Sequence, residues 1–418
     1  MRNNTSWLQH IPKHWEIKET KYLFSEIGSG TTPDSGSDAY YPDNATNYFL
    51  QTGDLNDGKV IDTNKKISDL AVSTFGMKQY PKGSLVIAMY GATIGKLGIL
   101  EIDTTVNQAC CVLQKSRLID TTFAFYVFAA SKPYILLESK GGTQPNINQD
   151  TIRNWLLPLP PLSEQEKIAR YLDTKVEEID QKVSLIEKKI ERYQLLKKSI
   201  INKVVTTGLH PEAPRKDSQI SWLGQIPEHW EVKRFKSIAR TIKGKVVEYF
   251  DTPSDDANIV LTVDTLRNDN PQFLNYAVTS DTDQLCKVND IIVIWDGAGV
   301  GEFLRAKEGL ISSTTARIDV NKSIVNKDYF WYFGDKIEEI MKHMPTGMGI
   351  PHLNPIILSN MQFPLPPLSE QQEIASYLDQ KCADIDAIIA NCTAQIEKYK
   401  TLKRALINEV VTGQRTIE

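Results

Sequence analysis

Apolar positions follow two different periods along this chain, and the two periods occupy different stretches. Over residues 158–206, and again over 364–412, they recur every three or four places, the spacing of one face of an α-helix. In the first stretch Val176, Val183, Ile190 and Val204 take one seam position of a heptad, and Leu172, Ile179, Ile186, Tyr193 and Ile200 take the other. In the second, Cys382, Ile389, Ile396 and Val410 play the first part, and Leu378, Ile385, Cys392, Tyr399 and Leu406 the second. A seam sustained for about five heptads predicts a coiled coil. Each stretch opens after a Pro-rich stop with Ser163 or Ser369 placed as N-cap and Glu166 or Gln372 three residues on, which predicts a capping box. Neither Pro nor Gly follows until Gly208 or Gly413. One polar residue interrupts each seam, Lys197 and Lys403, at equivalent positions; such a lysine either fixes register or runs its stem along the seam to reach water.

Elsewhere the pattern is that of mixed α/β domains rich in strands. Short apolar runs at 84–88 and 291–295, bounded by turn residues, predict buried strands, and 123–130 and 329–341 predict helices. The polar, Gly-bearing runs GSGTTP at 28–33 and GGTQP at 141–145 predict flexible loops, where recognition side chains usually sit on a rigid scaffold.

The two helical stretches are copies of one another. Residues 158–206 align without gaps to 364–412, with 26 of 49 positions identical (PLPPLSEQEKIARYLD against PLPPLSEQQEIASYLD). A second pair, WLQHIPKHWEIK at 7–18 and WLGQIPEHWEVK at 222–233, opens the two domains. Between these markers the copies diverge, although SLVIAMYG at 84–91 still lies opposite DIIVIWDG at 290–297, and PNIN at 145–148 opposite PHLN at 351–354. A repeat of about 206 residues is too long for a solenoid, so it is a domain duplication. The predicted architecture is α+β: a domain over 1–157, a spacer helix over 158–208, a second domain over 209–363, a second helix over 364–413 and a tail at 414–418. The helices pair as an antiparallel coiled coil in a pseudo-twofold internal repeat.

Composition narrows the function by exclusion. At 418 residues and 41% hydrophobic content the chain can bury two or more cores. It has no run of eighteen apolar residues and no apolar leader, so a soluble cytoplasmic protein is expected. Five cysteines without CxxC spacing fit a reducing compartment, and six histidines show no metal-ligand spacing. The net charge is −4, with 15 basic and 15 acidic residues over 1–157 and 17 and 20 over 215–363, so no segment is a basic tail. Tight binding to nucleic acid would need Lys and Arg gathered on one face, or a partner that adds phosphate contacts.

Several motifs suggest chemistry and then fail. GAGVG at 297–301 follows an apolar strand, as a nucleotide or S-adenosylmethionine loop would, but its duplicate GATIG at 91–95 loses the middle glycine. No Asn/Asp-Pro-Pro-aromatic tetrapeptide of an amino-methyltransferase is present either. GATIGK at 91–96 is one residue short of a phosphate loop and is followed by Leu97. Glu16 with Lys18, and Glu231 with Lys233, lack the recurring acidic partner that a nuclease needs. No catalytic constellation survives, and strand-to-turn glycines explain the clusters.

Two copies of PLPPLSEQ(E/Q)xIAxYLD leading a long helix, alternating with divergent domains that open WLxxIPxHW, resemble the DNA-specificity subunit of Type I restriction-modification systems. The resemblance covers essentially the whole chain. It implies that each divergent domain reads one half of a split double-stranded DNA site, and that the helices act as spacer and dock modification (methyltransferase) subunits, two of them expected. Restriction subunits join through the complex. It implies no catalysis and no cofactor in this chain; S-adenosylmethionine, ATP and magnesium belong to the partners. A helix of this length spans roughly 65 Å at 1.5 Å per residue, against about 34–36 Å per turn of B-DNA. Contact candidates are the polar loop residues Ser29, Thr31, Thr32, Thr93, Lys96, Gln144 and Asn146 in the first domain. In the second they are Lys243, Lys245, Thr314, Thr315, Arg317 and His352. Asn, Gln and Arg suit base edges, and Lys and Thr suit phosphates. Arg192 and Lys398, off the seam, are the docking candidates. The rival reading is a coiled-coil adaptor with two ligand-binding heads and no DNA.

Overall fold

The heptad stretches fold into two uninterrupted helices, Leu162–Thr207 and Leu368–Val411, in a computed structural model that describes residues 7–138, 146–344, 346 and 349–417. Each begins two residues earlier than the capping-box spacing predicts. The Pro161 carbonyl accepts from the backbone N–H groups of Glu164 and Gln165, and Pro367 accepts from Gln371, so Ser163 and Ser369 lie inside the first turn and do not cap it. A proline just outside the helix cannot donate, and its fixed φ already suits a helix start. At the other ends Gly208 (φ 72°) and Gly413 (φ 69°) take the left-handed conformation that closes a helix, a geometry glycine adopts without strain.

The chain divides into two compact units, residues 1–188 with 392–418 and residues 189–391, so each long helix contributes to both. In the first unit Leu172 and Ile179 of one helix share a core with Leu406, Ile407 and Val410 of the other, antiparallel helix. Within that unit the Lys403 ammonium lies 2.7 and 2.8 Å from the two carboxylate oxygens of Asp180. In the second unit Ile201, Val204 and Val205 pack with Ile374, Leu378 and Cys382, and Lys197 meets Asp386 at the same distances. The polar residue in each seam therefore has a partner on the opposing helix, which fits register control better than a lysine merely reaching for water.

Besides two-stranded ribbons, each unit carries a larger and a smaller sheet whose shared strands follow one order. In the first, Ile27–Ser29, Cys110–Leu113, Leu85–Ala88, Leu97–Leu100 and Gly58–Val60 lie side by side in that order, and Lys65–Ile67, Asn47–Leu50, Thr104–Val106 and Gln79–Tyr80 form the other sheet. In the second, Ala239–Lys243, Thr315–Val320, Ile291–Ile294 and Phe303–Arg305 repeat the first four strands of the larger sheet. Tyr276–Ala277, Asn258–Leu261, Gly309–Ile311 and Leu285–Cys286 repeat the smaller one. The central strands, Leu85–Ala88 and Ile291–Ile294, are buried throughout, as their unbroken apolar runs predict. The helix predicted at 123–130 runs Thr121–Leu137, capped by Asp120, whose carboxylate accepts from the Phe123 N–H at 2.8 Å. The one predicted at 329–341 is broken into Lys327–Trp331 and Gly334–His343.

The two repeated sequence markers meet each other. In the first unit Glu164, in the opening turn of its helix, accepts from Trp15 Nε1 at 3.1 Å and lies 3.1 Å from His14 Nε2. A Cβ added at Gly413 would strike Pro12 and come within 3.3 Å of Trp15. In the second unit Glu370 holds Trp230 Nε1 at 3.1 Å and His229 Nε2 at 2.8 Å, and Trp230 lies against Gly208. The next residue along, Gln165 or Gln371, is fully buried. Its Oε1 accepts from the backbone N–H of Asp120 or Asn326, and its Nε2 donates to the carbonyl of Pro160 or Pro366. The shared LSEQ and HW motifs are thus the two halves of one joint between domain and helix.

Candidate nucleic-acid interface

The residues after each central strand are set by glycines. In the first unit Gly91 (φ 71°) and Gly95 (φ 72°) bracket a tight turn in which Gly95 N–H bonds Ala88 O and Ile94 N–H bonds Gly91 O. In the second, Gly297 (φ 105°) and Gly301 (φ 85°) do the same, with Gly301 N–H on Ile294 O. The GATIG and GAGVG clusters are therefore strand-to-turn devices, as the failed nucleotide motif suggests.

Backbone hydrogen bonds gather four loops at this end of the larger sheet. In the first unit Met89 N–H bonds Ala109 O (2.8 Å), Ile147 N–H bonds Met89 O (2.9 Å) and Gly30 N–H bonds Asn107 O (3.3 Å). In the second, Trp295 N–H bonds Thr314 O (2.9 Å), Leu353 N–H bonds Trp295 O (2.8 Å) and Gly244 N–H bonds Thr315 O (3.0 Å). Gly30 and Gly244 must be glycine here. A Cβ would lie 1.6 Å from the Val106 carbonyl oxygen or 2.0 Å from that of Ser312.

Most of the predicted contact residues converge on these loops. Ser29, Thr31, Thr32, Thr93, Lys96 and Asn146 line the first end, Thr31 and Asn146 exposed and the other four half-buried. The Thr32 hydroxyl donates to Gln108, and that of Thr93 reaches back to Tyr90 O at 3.4 Å. Gln144 lies outside the described residues. At the second end Lys243, Thr314 and His352 are exposed together, and Lys245 sits one residue beyond Gly244. Its ammonium is held by Asp281 at 2.7 Å, which raises the lysine above its ordinary range. Two choices do not fit the surface. Thr315 is fully buried, its hydroxyl shared with Ser312, so it has no face to offer a base. Arg317 is half-buried in mid-strand and donates to the Leu285 carbonyl on the neighbouring sheet, which makes it a tie between sheets. Arg192 and Lys398 are exposed on the long helices, off the seam.

Sequence reasoning missed Tyr90, Trp295 and Asp296, which stand at the tips of the central strands. Tyr90 forms an isolated antiparallel bridge with Asn146, and Asp296 forms one with His352. The Asp296 carboxylate also takes the Lys243 ammonium at 3.1 Å and His352 Nδ1 at 2.6 Å, and Lys243 rides 5.5 Å above the Trp295 ring. The signal was available, since SLVIAMYG and DIIVIWDG align and differ at that place. Among the described residues no group of three or more His, Cys, Asp or Glu is arranged to hold a metal, and no helix is long and apolar enough to cross a membrane.

Comparison with known proteins gives one consistent result. The model for the Type I restriction modification DNA specificity domain matches residues 12–192 and again 227–398. The Type I restriction enzyme MjaVIII specificity subunit of Methanocaldococcus jannaschii is 25% identical over 97% of this chain and 93% of its own length. The EcoBI specificity subunit of Escherichia coli is 23% identical over 83% and 78%. A solved chain from work on complex assembly and conformational transition of the type I R-M system superposes with a TM-score of 0.74 at 17% identity, covering 96% of this chain and 98% of that one. The HsdS subunit from Thermoanaerobacter tengcongensis does so at 0.53 and 18%, covering 98% and 100%. At those identities the superpositions speak for the fold alone.

Proposed function

The chain belongs to the Type I restriction-modification DNA specificity family, and on that premise we propose that each unit reads one half of a two-part duplex DNA target through the loops at the end of its larger sheet. The observation that carries this is a contrast. The same four loops converge on the same scaffold in both units while their side chains differ, beside helices that keep 26 of 49 positions and the whole of their opening motif. Divergence at the tips suits two half-sites of different sequence, and constancy in the helices suits partners that stay the same. A bare adaptor gives no reason for that division.

Thr31, Asn146 and Lys96 in the first unit, and Lys243, Thr314 and His352 in the second, are the side chains best placed to meet DNA. Thr32, Thr93 and Lys245 give up part of their capacity to neighbours, and Ser29 is half-buried beside them. The helices set the separation of the half-sites and dock two modification subunits on their outward faces, where Arg192 and Lys398 stand. Restriction subunits join through that complex. The chain itself carries no catalysis: S-adenosylmethionine, ATP and magnesium are the partners' business, and the work is done in the cytoplasm.

The balance of charge bears on how tightly the chain binds by itself. With as many acidic as basic residues in the first domain and more acidic ones in the second, phosphate contacts must come largely from the docked subunits. The experiment measures methyl transfer from labelled S-adenosylmethionine to DNA carrying the target, with the chain alone and with modification subunits added. Transfer requires the added subunits under this reading, and transfer by the purified chain alone overturns it.

A further inference from the structure

Positions 90 and 146 in the first unit, and 296 and 352 in the second, stand in the same relation: 296 − 90 and 352 − 146 are both 206, the repeat offset. Each pair is joined by the same isolated antiparallel bridge, beyond the end of a fully buried central strand. Each is followed by a glycine, Gly91 or Gly297, with nothing within 4 Å of where a Cβ would stand. The backbone frame is held in common while the chemistry it displays is not. The first unit shows Tyr90 with Asn146, both neutral and exposed; the second shows Asp296 with His352 and Lys243.

An acidic side chain is a poor choice at a surface meant for phosphates unless its charge is answered nearby. Here it is answered. Lys243 takes one carboxylate oxygen and His352 the other, whose Nδ1 must be the donor because a carboxylate only accepts. Each oxygen keeps a further lone pair, and the carboxylate is 18% exposed, so it is reachable yet fixed in direction. A carboxylate so held can accept from an exocyclic amino group and is repelled by carbonyl oxygens. Tyr90 and Asn146 can both donate and accept, and an Asn amide fits an adenine edge by two bonds.

We infer that these two bridged pairs are the specificity-determining positions of the two units, and that Asp296 selects a base presenting an amino group in the major groove, cytosine N4 or adenine N6. The inference rests on the proposed DNA reading. His352 and Lys243 act as positioning residues that neutralise and aim the carboxylate, and their counterpart in the first unit needs no such support because its pair carries no charge.

The test uses the full chain with its modification subunits, after methylation mapping has given the target. Binding is measured to duplexes carrying that target and every single-base variant of both halves. If the wild-type complex does not prefer its target, the DNA reading fails before this inference is reached. With that preference established, Asp296→Asn should lower discrimination at one base pair of one half by about ten-fold or more, leaving the other half unchanged. His352→Gln, which keeps a polar side chain there, should blur the same base pair to a smaller degree. The identity of the affected base, cytosine or adenine, tells the two amino groups apart. Uniform weakening across all duplexes with preferences intact, loss at both halves, or no change at all in folded Asp296→Asn would overturn the inference.

Discussion

Gln165 and Gln371 show how much a single buried amide can carry. Each satisfies a backbone N–H on the domain side and a proline carbonyl at the start of its helix, with no exposure to water. Replacing either by Leu leaves both backbone groups without a partner, at about 1–3 kcal/mol for each buried group stranded. Urea unfolding of Gln165→Leu should show a lowered midpoint at unchanged slope, and an unaltered midpoint would remove the glutamine from the joint. Buried tyrosines give a pH signature. Tyr126 and Tyr332 are pushed above the ordinary tyrosine range, first by burial and then by donating to Asp173 and Asp379. Their folded pKa exceeds the unfolded one, so the stability they add is whole below about pH 10 and is lost as pH climbs beyond it. Tyr126→Phe should flatten part of that alkaline loss, followed by circular dichroism against pH, and an unchanged alkaline profile would remove Tyr126 from its causes. Neither joint was legible beforehand: the identity of LSEQ in both copies marked it as important, but the partner histidine lies 150 residues away in the first copy and 141 in the second, beyond the reach of local pattern.

At the scale of elements the helices were the most legible part, because a heptad seam is fixed by period alone and Leu172, Ile179, Leu378 and Ile385 are buried where the period puts them. Their starts were not, since Ser163 and Glu166 offered capping chemistry that Pro161 made unnecessary. Lys197 and Lys403 looked ambiguous because the choice between register and mere solvation depends on the opposing helix, which sequence spacing cannot supply. With Asp386 and Asp180 opposite, each lysine joins a partly exposed ion pair worth about 0.2–1 kcal/mol. Lys403→Asp should therefore destabilise modestly, and Asp180→Lys added to it should restore most of the loss; a double-mutant cycle without coupling would contradict the pairing. The helices as spacer make a stronger demand. Four residues inserted near Ser184 add about 6 Å of helix and locally unwind the supercoil. Methylation mapping should then find a longer DNA spacer or no modification at all, whereas an unchanged spacer in a folded variant argues against the helices as ruler.

At the scale of the whole molecule, duplication is the governing feature. Two units of one topology carry different side chains at the same tips, and a near-even balance of charge leaves neither with a surplus of cations for phosphate. That balance was readable from the sequence, as was the duplication. Which loops meet was not, because the four loops of each tip are drawn from segments far apart in the chain, and Thr315 and Arg317 have suitable chemistry on a strand that turns them inward. Affinity of the complex with modification subunits should fall more steeply with salt than that of the chain alone, since each added phosphate contact releases a counterion. Equal slopes would mean the subunits add no such contacts. The most direct measurement of the central claim replaces residues 1–157 with the first domain of another member of the family and maps methylation in cells carrying the chimera. Independent reading by two units requires that one half of the target change while the other half stays as it was; a change in both halves, with the chimera folded and assembled, would contradict it.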